Sequence, residues 1–498
     1  MRTTGPLILS IDAGTTSTRA LLVSAQGEVV ARAGRPLPLH TPQPGWVEQN
    51  GLEILARTLD AIRDVLTQVD GAAARVLGVG LTNQRETVLL WDRATGEPVA
   101  PAIVWQDRRT ADVCARLRDA GQEPVVQAKT GLLLDPYFSA TKIAWLLDAV
   151  PGARERAARG ELLAGTVDSF LSWHLCGGAH ITDATNASRT QLYDLAAGGW
   201  DASLCDLFQV PMTLLPRVTD SAGALAQVRL PDLGLDAPLA GIAGDQQAAA
   251  IGQGCLVRGM AKLTLGTGAF LLVHAGATAP QSAHRLLATV AWQLEGARAY
   301  ALEGSLFVAG SAVQWLRDGL GLIAASDEIE ALAESVPDSG GVQFVPAFTG
   351  LGAPYWDADA RGLICGLTRG TTPAHIARAC LEAMSQQTRD LADAFAADGL
   401  PLSRMRVDGG MSANGWLLQD MADTLELPVD RPAELDSTAL GAAFLAMAGI
   451  GLVPDLAHAA RGWQVDAQFT PRPRPQAQSQ RRAWQTAIAR ARLADSQS

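Results

Sequence analysis

Two distant stretches of this chain share one plan. Leu7-Ile-Leu-Ser-Ile-Asp-Ala-Gly-Thr-Thr-Ser-Thr-Arg-Ala-Leu-Leu-Val23 runs as two β-rich segments around a turn of small hydroxyl residues and Gly14. Met260-Ala-Lys-Leu-Thr-Leu-Gly-Thr-Gly-Ala-Phe-Leu-Leu-Val-His274 runs the same way. The likeness is one of pattern, not of identity. A unit repeated in this manner predicts two domains built alike, each offering its turn to a shared cleft. The boundary then falls near residue 250, dividing the chain into 1–250, 251–470 and a Pro-, Gln- and Arg-rich tail, 471–498, that reads as a helical surface cap. With 498 residues, each half has ample length for its own core.

Asp12 closes the first strand, and Gly14, Thr15, Thr16 and Ser17 follow it. Such a turn gathers backbone N–H groups and hydroxyls around a short concavity that suits phosphate oxygens. An ordinary hairpin turn has the same composition, so both readings stand. Glu28–Arg32 offers a third strand, making the opening a β-meander. From Gly51 to about Asp70, Leu52, Leu55, Leu59, Ile62 and Leu66 recur at helical spacing. Strands are predicted at 76–81, 88–91 and 102–105. Arg85 and Glu86, adjacent opposite charges, lie between the first two of these. Pro136 keeps the segment around Tyr137 extended or turned. The polar segments Thr166–Phe170 and Thr182–Ser188 suggest no function by their spacing.

Midway comes Ala240-Gly-Ile-Ala-Gly-Asp-Gln-Gln-Ala-Ala-Ala250, a small apolar strand ending in one carboxylate, Asp245, before an alanine-rich helix start. The carboxylate either faces a ligand or caps the helix. Further on, Gly304–Leu316 reads as a helix entered through small residues, and 375–397 as a long helix. Met405–Asp408 reads as a short strand followed by Gly409-Gly410 and a helix whose first turn carries Asn414. A double glycine lets a flat ligand approach backbone closely, and equally makes a tight strand-to-helix turn.

The 48% hydrophobic and 18% charged content marks a globular chain. A net charge of −11 argues against non-specific nucleic-acid binding, which needs a basic face. No apolar run reaches the roughly 18 residues of a membrane span. The N-terminal residues lack the pattern of a signal peptide. Six cysteines stand far apart without a C-x-x-C pair, as in reduced core thiols. A cytoplasmic protein is expected. No G-x-x-x-x-G-K-[ST] occurs, which excludes a P-loop site.

Eight ordered motifs resemble the glycerol kinases of the FGGY carbohydrate kinase family, within the superfamily of sugar kinases, heat-shock chaperone ATPases and actin. They are Ile11–Arg19, Thr82–Thr87, Ile103–Thr110, Asp135–Ser139, Gly241–Ala248, Gly266–Phe270, Phe344–Trp356 and Val407–Gly410. The resemblance implies an α/β fold of two ribonuclease-H-like, actin-like ATPase domains flanking a deep cleft. It also implies ATP-dependent, Mg²⁺-assisted phosphorylation of glycerol to sn-glycerol 3-phosphate, in a homodimer or homotetramer. By this resemblance Arg85, Glu86, Trp105, Tyr137, Asp245, Gln246 and Phe270 form the polyol pocket, with Asp245 the general base. Thr15, Thr16, Ser17, Arg19, Thr267, Gly310, Gln314, Gly410 and Asn414 match nucleotide contacts. Asp12 and Asp245 match the magnesium site.

Two alternatives carry different expectations: a kinase of the same family for erythritol or xylulose, and a non-catalytic ATP-binding regulator on the actin-like fold. The latter would have lost Asp12 or Asp245, and both are present. The chain departs from the pattern at 228–239, where some bacterial members carry a Gly-Gly-Lys-Gly-Gly-Thr-Arg loop for fructose 1,6-bisphosphate. That segment here lacks the loop, and it holds no histidine for control by phosphorylation. Ala13 replaces a larger polar residue, with Asp12 and Gly14 kept on either side.

Overall fold

The opening meander forms from β1 (Leu7–Ala13), β2 (Ser17–Ser24) and β3 (Val29–Pro36), antiparallel in sequence. The structure is a computed structural model describing residues 5–492. β4 (Val76–Asn83), β5 (Ala222–Leu230) and β6 (Leu235–Gly244) extend this sheet, β4 parallel to β1 and β6 parallel to β4, with β5 antiparallel at the edge. β1 and β4 are covered on both faces, so their sequences are nearly continuous apolar runs without alternation.

The second half repeats the arrangement. β7 (Met260–Leu265), β8 (Ala269–Gly276), β9 (Leu287–Leu294) and β10 (Ala297–Leu306) pair antiparallel, and β11 (Arg404–Asp408) and β12 (Val429–Pro432) continue parallel from β7, with β13 (Val465–Phe469) at the far edge. Among the described residues the orders are β5-β6-β4-β1-β2-β3 and β9-β10-β8-β7-β11-β12-β13. Both contain one five-strand unit: β6-β4-β1-β2-β3 in the first sheet, β12-β11-β7-β8-β10 in the second. The repeated strand–turn–strand units therefore seed two ribonuclease-H-like sheets.

Five helices cover these sheets or start at their edges, α1 (Gly51–Thr67), α2 (Asp245–Gly252), α3 (Pro373–Ala397), α4 (Gly415–Leu425) and α5 (Ser437–Gly449), and α6 (Ala477–Arg492) packs on α3. Asn50 caps α1, its side chain accepting from the Leu52 N–H at 2.9 Å. The helical spacing is right but the buried face is rotated: Ile54, Ala61, Ile62 and Val65 face the sheet, while Leu52 is exposed.

Three other expectations change. Gly304–Leu306 is the end of β10, paired with β8, and the following helix begins only at Gly310. The small residues there let two backbones pair, which outweighs their helix-start pattern. The strand expected at 102–105 is confined to Ala102–Ile103. The tail is more than a surface cap, because Trp484, Ala487, Ile488 and Ala491 of α6 are buried in the second core. Trp484 donates its indole N–H to Asp390 at 2.8 Å.

One connection crosses between the halves. α5 lies after β12 in sequence, yet it packs on β1, β4 and β6 of the first sheet and along α2. It is apolar all round because it is enclosed on nearly every side. No helix of the described residues is long and apolar enough to cross a membrane.

Candidate active site

The carboxyl ends of parallel strands are where α/β sheets bind ligands. Here β1, β4 and β6 end level: Ala13 pairs with Asn83, and Gly244 with Asn83. Asp12, the Arg85-Glu86 pair and Asp245 therefore come to one edge, although more than 230 residues separate the first from the last. In the second sheet β7 and β11 also end together, Thr264 opposite Asp408, placing the Thr267 turn beside Gly409-Gly410.

Asp245 is the first residue of α2, and Gly244 occupies the cap position. The capping role thus belongs to its neighbour. Asp245 accepts the Gln246 N–H at 2.7 Å and forms an ion pair with Arg85, 3.1 Å from its Nε, and its side chain is still 30% exposed. Gly244 must be glycine here, because a Cβ would lie 2.6 Å from Arg85 Cγ. The pocket follows outward from Arg85. Its Nη1 donates to Glu303 at 2.6 Å and its Nη2 to the Tyr137 hydroxyl at 3.4 Å, and it lies 3.9 Å from Glu86. Trp105 stands edge-on to Tyr137 at 5.6 Å and to Phe270, from the second domain, at 6.0 Å. Its indole N–H donates to Thr15 Oγ1 at 2.9 Å, linking the aromatic group to the hydroxyl turn. Gln246 accepts from Lys262, a buried lysine on β7. Lysine only donates, so this contact sets the amide orientation and turns the Gln246 NH₂ away from Lys262.

Charge in the pocket follows from burial and partners. Glu303 is held below the usual carboxylate range, because the Arg189 and Arg85 guanidiniums outweigh the burial that pushes it up. Glu86 goes the other way, raised by burial, which outweighs the pull of Arg85 and Arg189. Burial also lowers the Lys262 ammonium. At the cleft floor burial pushes Asp12 up to about 7, against the pull of Arg19 and with help from Asp245 and Asp436.

The residues matched to nucleotide contacts lie in and after the two turns and after β11. Thr15, Thr16 and Ser17 sit in the first turn, closed by the Gly14 N–H to Ser17 carbonyl bond at 3.0 Å. Arg19, half exposed, is paired with Asp436 at 2.8 Å. Across the cleft, the Thr267 carbonyl receives the Ala309 N–H at 2.9 Å, and Gly310 packs so closely that a Cβ would meet the Gly266 carbonyl at 2.6 Å and Met411 Cγ at 3.2 Å. Gln314 is exposed on the helix Gly310–Asp318. Asn414 is the cap of α4 and not part of its first turn, accepting the Leu417 N–H at 2.8 Å. Gly409 has φ +88°, and a Cβ there would lie 2.5 Å from the Leu265 carbonyl, so that position demands glycine. At Gly410 a Cβ would meet nothing within 4 Å, which leaves open space beside the backbone.

Several residues of the site were not anticipated. Arg189 donates to Glu86 at 2.6 Å and to Glu303 at 3.0 Å. The polar segment Thr182–Ser188, which carried no reading by itself, and Arg189 directly after it brace the pocket from behind. Thr185 accepts the Gly244 N–H at 2.8 Å, and Asn186 exchanges two amide hydrogen bonds with Asn83. A signal existed: Lys262 is the one charge of its strand and Glu303 follows the apolar run Tyr300–Leu302, places where a charge requires a buried partner.

Comparisons with known proteins agree with this architecture. Residues 7–252 match the N-terminal domain of the FGGY family of carbohydrate kinases, and residues 261–450 its C-terminal domain. The chain is 54% identical to a glycerol kinase of Aromatoleum aromaticum, over 97% of this chain and 98% of that one. It is also 54% identical to a glycerol kinase of Rhodospirillum centenum, over 98% of each. A crystal structure of the glycerol kinase of Plasmodium falciparum with ADP has a TM-score of 0.92 at 33% identity, covering 98% of both chains. With both family domains matched in order and two like sheets meeting at one cleft, the chain belongs to the FGGY family of carbohydrate kinases.

Proposed function

We propose that this protein phosphorylates glycerol with ATP to give sn-glycerol 3-phosphate. The observation that carries the reading is Asp245, a partly exposed carboxylate paired with Arg85, which also donates to Tyr137 of the aromatic group that Trp105 ties to the hydroxyl turn. A polyol hydroxyl is a poor nucleophile. Asp245 accepts its proton while the hydroxyl oxygen bonds to the γ-phosphorus and the bond to the β-phosphate oxygen breaks, releasing ADP. Arg85 and Glu86 offer a donor and an acceptor to the other hydroxyls, and Trp105 and Phe270 pack on the carbon chain. Thr15, Thr16 and Ser17 on one side, and Thr267, Gly310 and Gly410 on the other, receive phosphates and base.

Among the described residues no group of three or more His, Cys, Asp or Glu forms a protein-only metal cage. Asp12 and Asp245 fit Mg²⁺, which takes one or two carboxylates and completes its shell with phosphate oxygens and water. Held there by Asp12 and Asp245 with the nucleotide, the ion would supply neutralisation of phosphate charge.

ATP consumption by the purified protein over glycerol, dihydroxyacetone, erythritol and xylulose tests the reading. Glycerol is expected to have the highest kcat/KM; a clearly higher value for another substrate would overturn the specificity. Fructose 1,6-bisphosphate is expected to leave the rate unchanged. β5 and β6 meet in a hairpin in which Leu230 pairs with Leu235 across the short turn Pro231–Leu233, so no extended basic loop exists there. Clear inhibition by millimolar effector would refute this.

A further inference from the structure

Arg85 and Glu86 are neighbours in sequence with opposite charge, yet the contact between them is the longest that either makes to an ionic partner. Their closest approach is 3.9 Å, while each has a shorter contact elsewhere: Arg85 with Glu303 at 2.6 Å, and Glu86 with Arg189 at 2.6 Å. Arg189 and Glu303 in turn meet at 3.0 Å. The four side chains are buried and form a ring of alternating charge with one loose edge, between Arg85 and Glu86. Two positive and two negative groups balance, which makes so deep a burial of charge tolerable. The Glu86 backbone, with φ +59°, adopts the left-handed conformation uncommon for a side-chain-bearing residue.

We propose that Arg189 and Glu303 are positioning residues that hold Arg85 and Glu86 apart, so that their remaining donors and acceptors read substrate hydroxyls. The inference rests on the glycerol reading above. Without Glu303, the Arg85 guanidinium turns to Glu86 and Asp245, its nearest remaining carboxylates. Without Arg189, Glu86 closes on Arg85. In either case the pair satisfies itself and the hydroxyls lose their partners. Glu303 is supplied by β10 of the second sheet, whereas Arg85, Glu86 and Arg189 come from the first half. The reading pair is thus set only when the two domains are seated together. Arg189 stands over the rings of Tyr137 and Phe138, 5.7 and 5.3 Å from their centroids, which fixes its plane.

The test is Glu303→Gln, which keeps the shape and removes the charge, assayed with glycerol and with 1,2- and 1,3-propanediol, each lacking one hydroxyl. The KM for glycerol is expected to rise by about tenfold or more, with the KM for ATP within about twofold. The advantage of glycerol over the better propanediol should shrink by a similar factor, a change that a merely structural role would not cause. Arg189→Lys, which keeps the charge but cannot bridge two carboxylates with one planar group, should act the same way and serves if Glu303→Gln does not fold. An unchanged glycerol preference in the folded variant, or KM values for glycerol and ATP that rise together, would overturn the proposal. Failure of the function reading is seen separately, as an unmodified protein that does not prefer glycerol.

Discussion

Asp245→Asn is expected to fold, to retain glycerol and to lose about 10²- to 10⁴-fold in kcat, the range of a positioned general base. Asparagine keeps the shape, and its amide oxygen can still accept the Gln246 N–H that Asp245 accepts at 2.7 Å. What it cannot do is take a proton from the attacking hydroxyl. The charge also matters to Arg85, whose Nε lies 3.1 Å from the carboxylate. Arg85 keeps Glu303 at 2.6 Å, so the guanidinium stays in place and the effect should fall on kcat more than on the KM for glycerol. Steady-state kinetics with both substrates varied, together with glycerol binding by calorimetry, separates the two. Near-normal turnover would remove Asp245 from the role of base.

A second large effect is expected in the helix packing behind Asp245. Gly441→Ala should destabilise the protein by about 3 kcal/mol, the upper part of the range for overpacking. A Cβ at Gly441 of α5 would lie 1.7 Å from the Ala248 carbonyl oxygen of α2, and one at Gly252 of α2 would lie 1.9 Å from the Ser437 carbonyl oxygen. The helices thus touch backbone to backbone, and neither side offers a flexible group that can yield. On the sheet side, a Cβ at Gly80 of β4 would meet the Ala442 carbonyl at 2.1 Å. α2 begins at Asp245, so prising α5 away also shifts the carboxylate. Gly199→Ala is the control, since a Cβ there meets nothing within 4 Å, and it should stay within about 0.5 kcal/mol of the parent. Denaturant midpoints of the two variants compare them; an equal midpoint for Gly441→Ala would show that the helix crossing adapts.

Much of the site was legible because its residues sit at positions with local signatures. Asp12 and Asp245 both end apolar strands at small-residue turns, and Arg85-Glu86 follows a strand directly. Parallel strands ending level then bring these positions together. The resemblance added the roles, and the family match agrees with it over both domains. Less legible were features where two signals compete. Gly304–Leu306 has the small residues of a helix start, but the backbone pairing of β8 and β10 takes it into the sheet. Leu52 has the spacing of a core residue, but the helix turns Ile54 and Val65 inward instead.

The sequence by itself determined the two strand–turn–strand units, the hydroxyl and glycine turns, and the polar residues that end the strands. All of these depend on neighbours within a few positions, through strand periodicity and turn chemistry. Only the tertiary structure decided that α5 joins the first sheet, that Trp484 closes the second core, and that Arg189 and Glu303 stand between Arg85 and Glu86. These facts join residues over a hundred positions apart in most cases. A buried charge or a bare glycine in a sequence states that a partner exists; which partner it is depends on how the two domains pack.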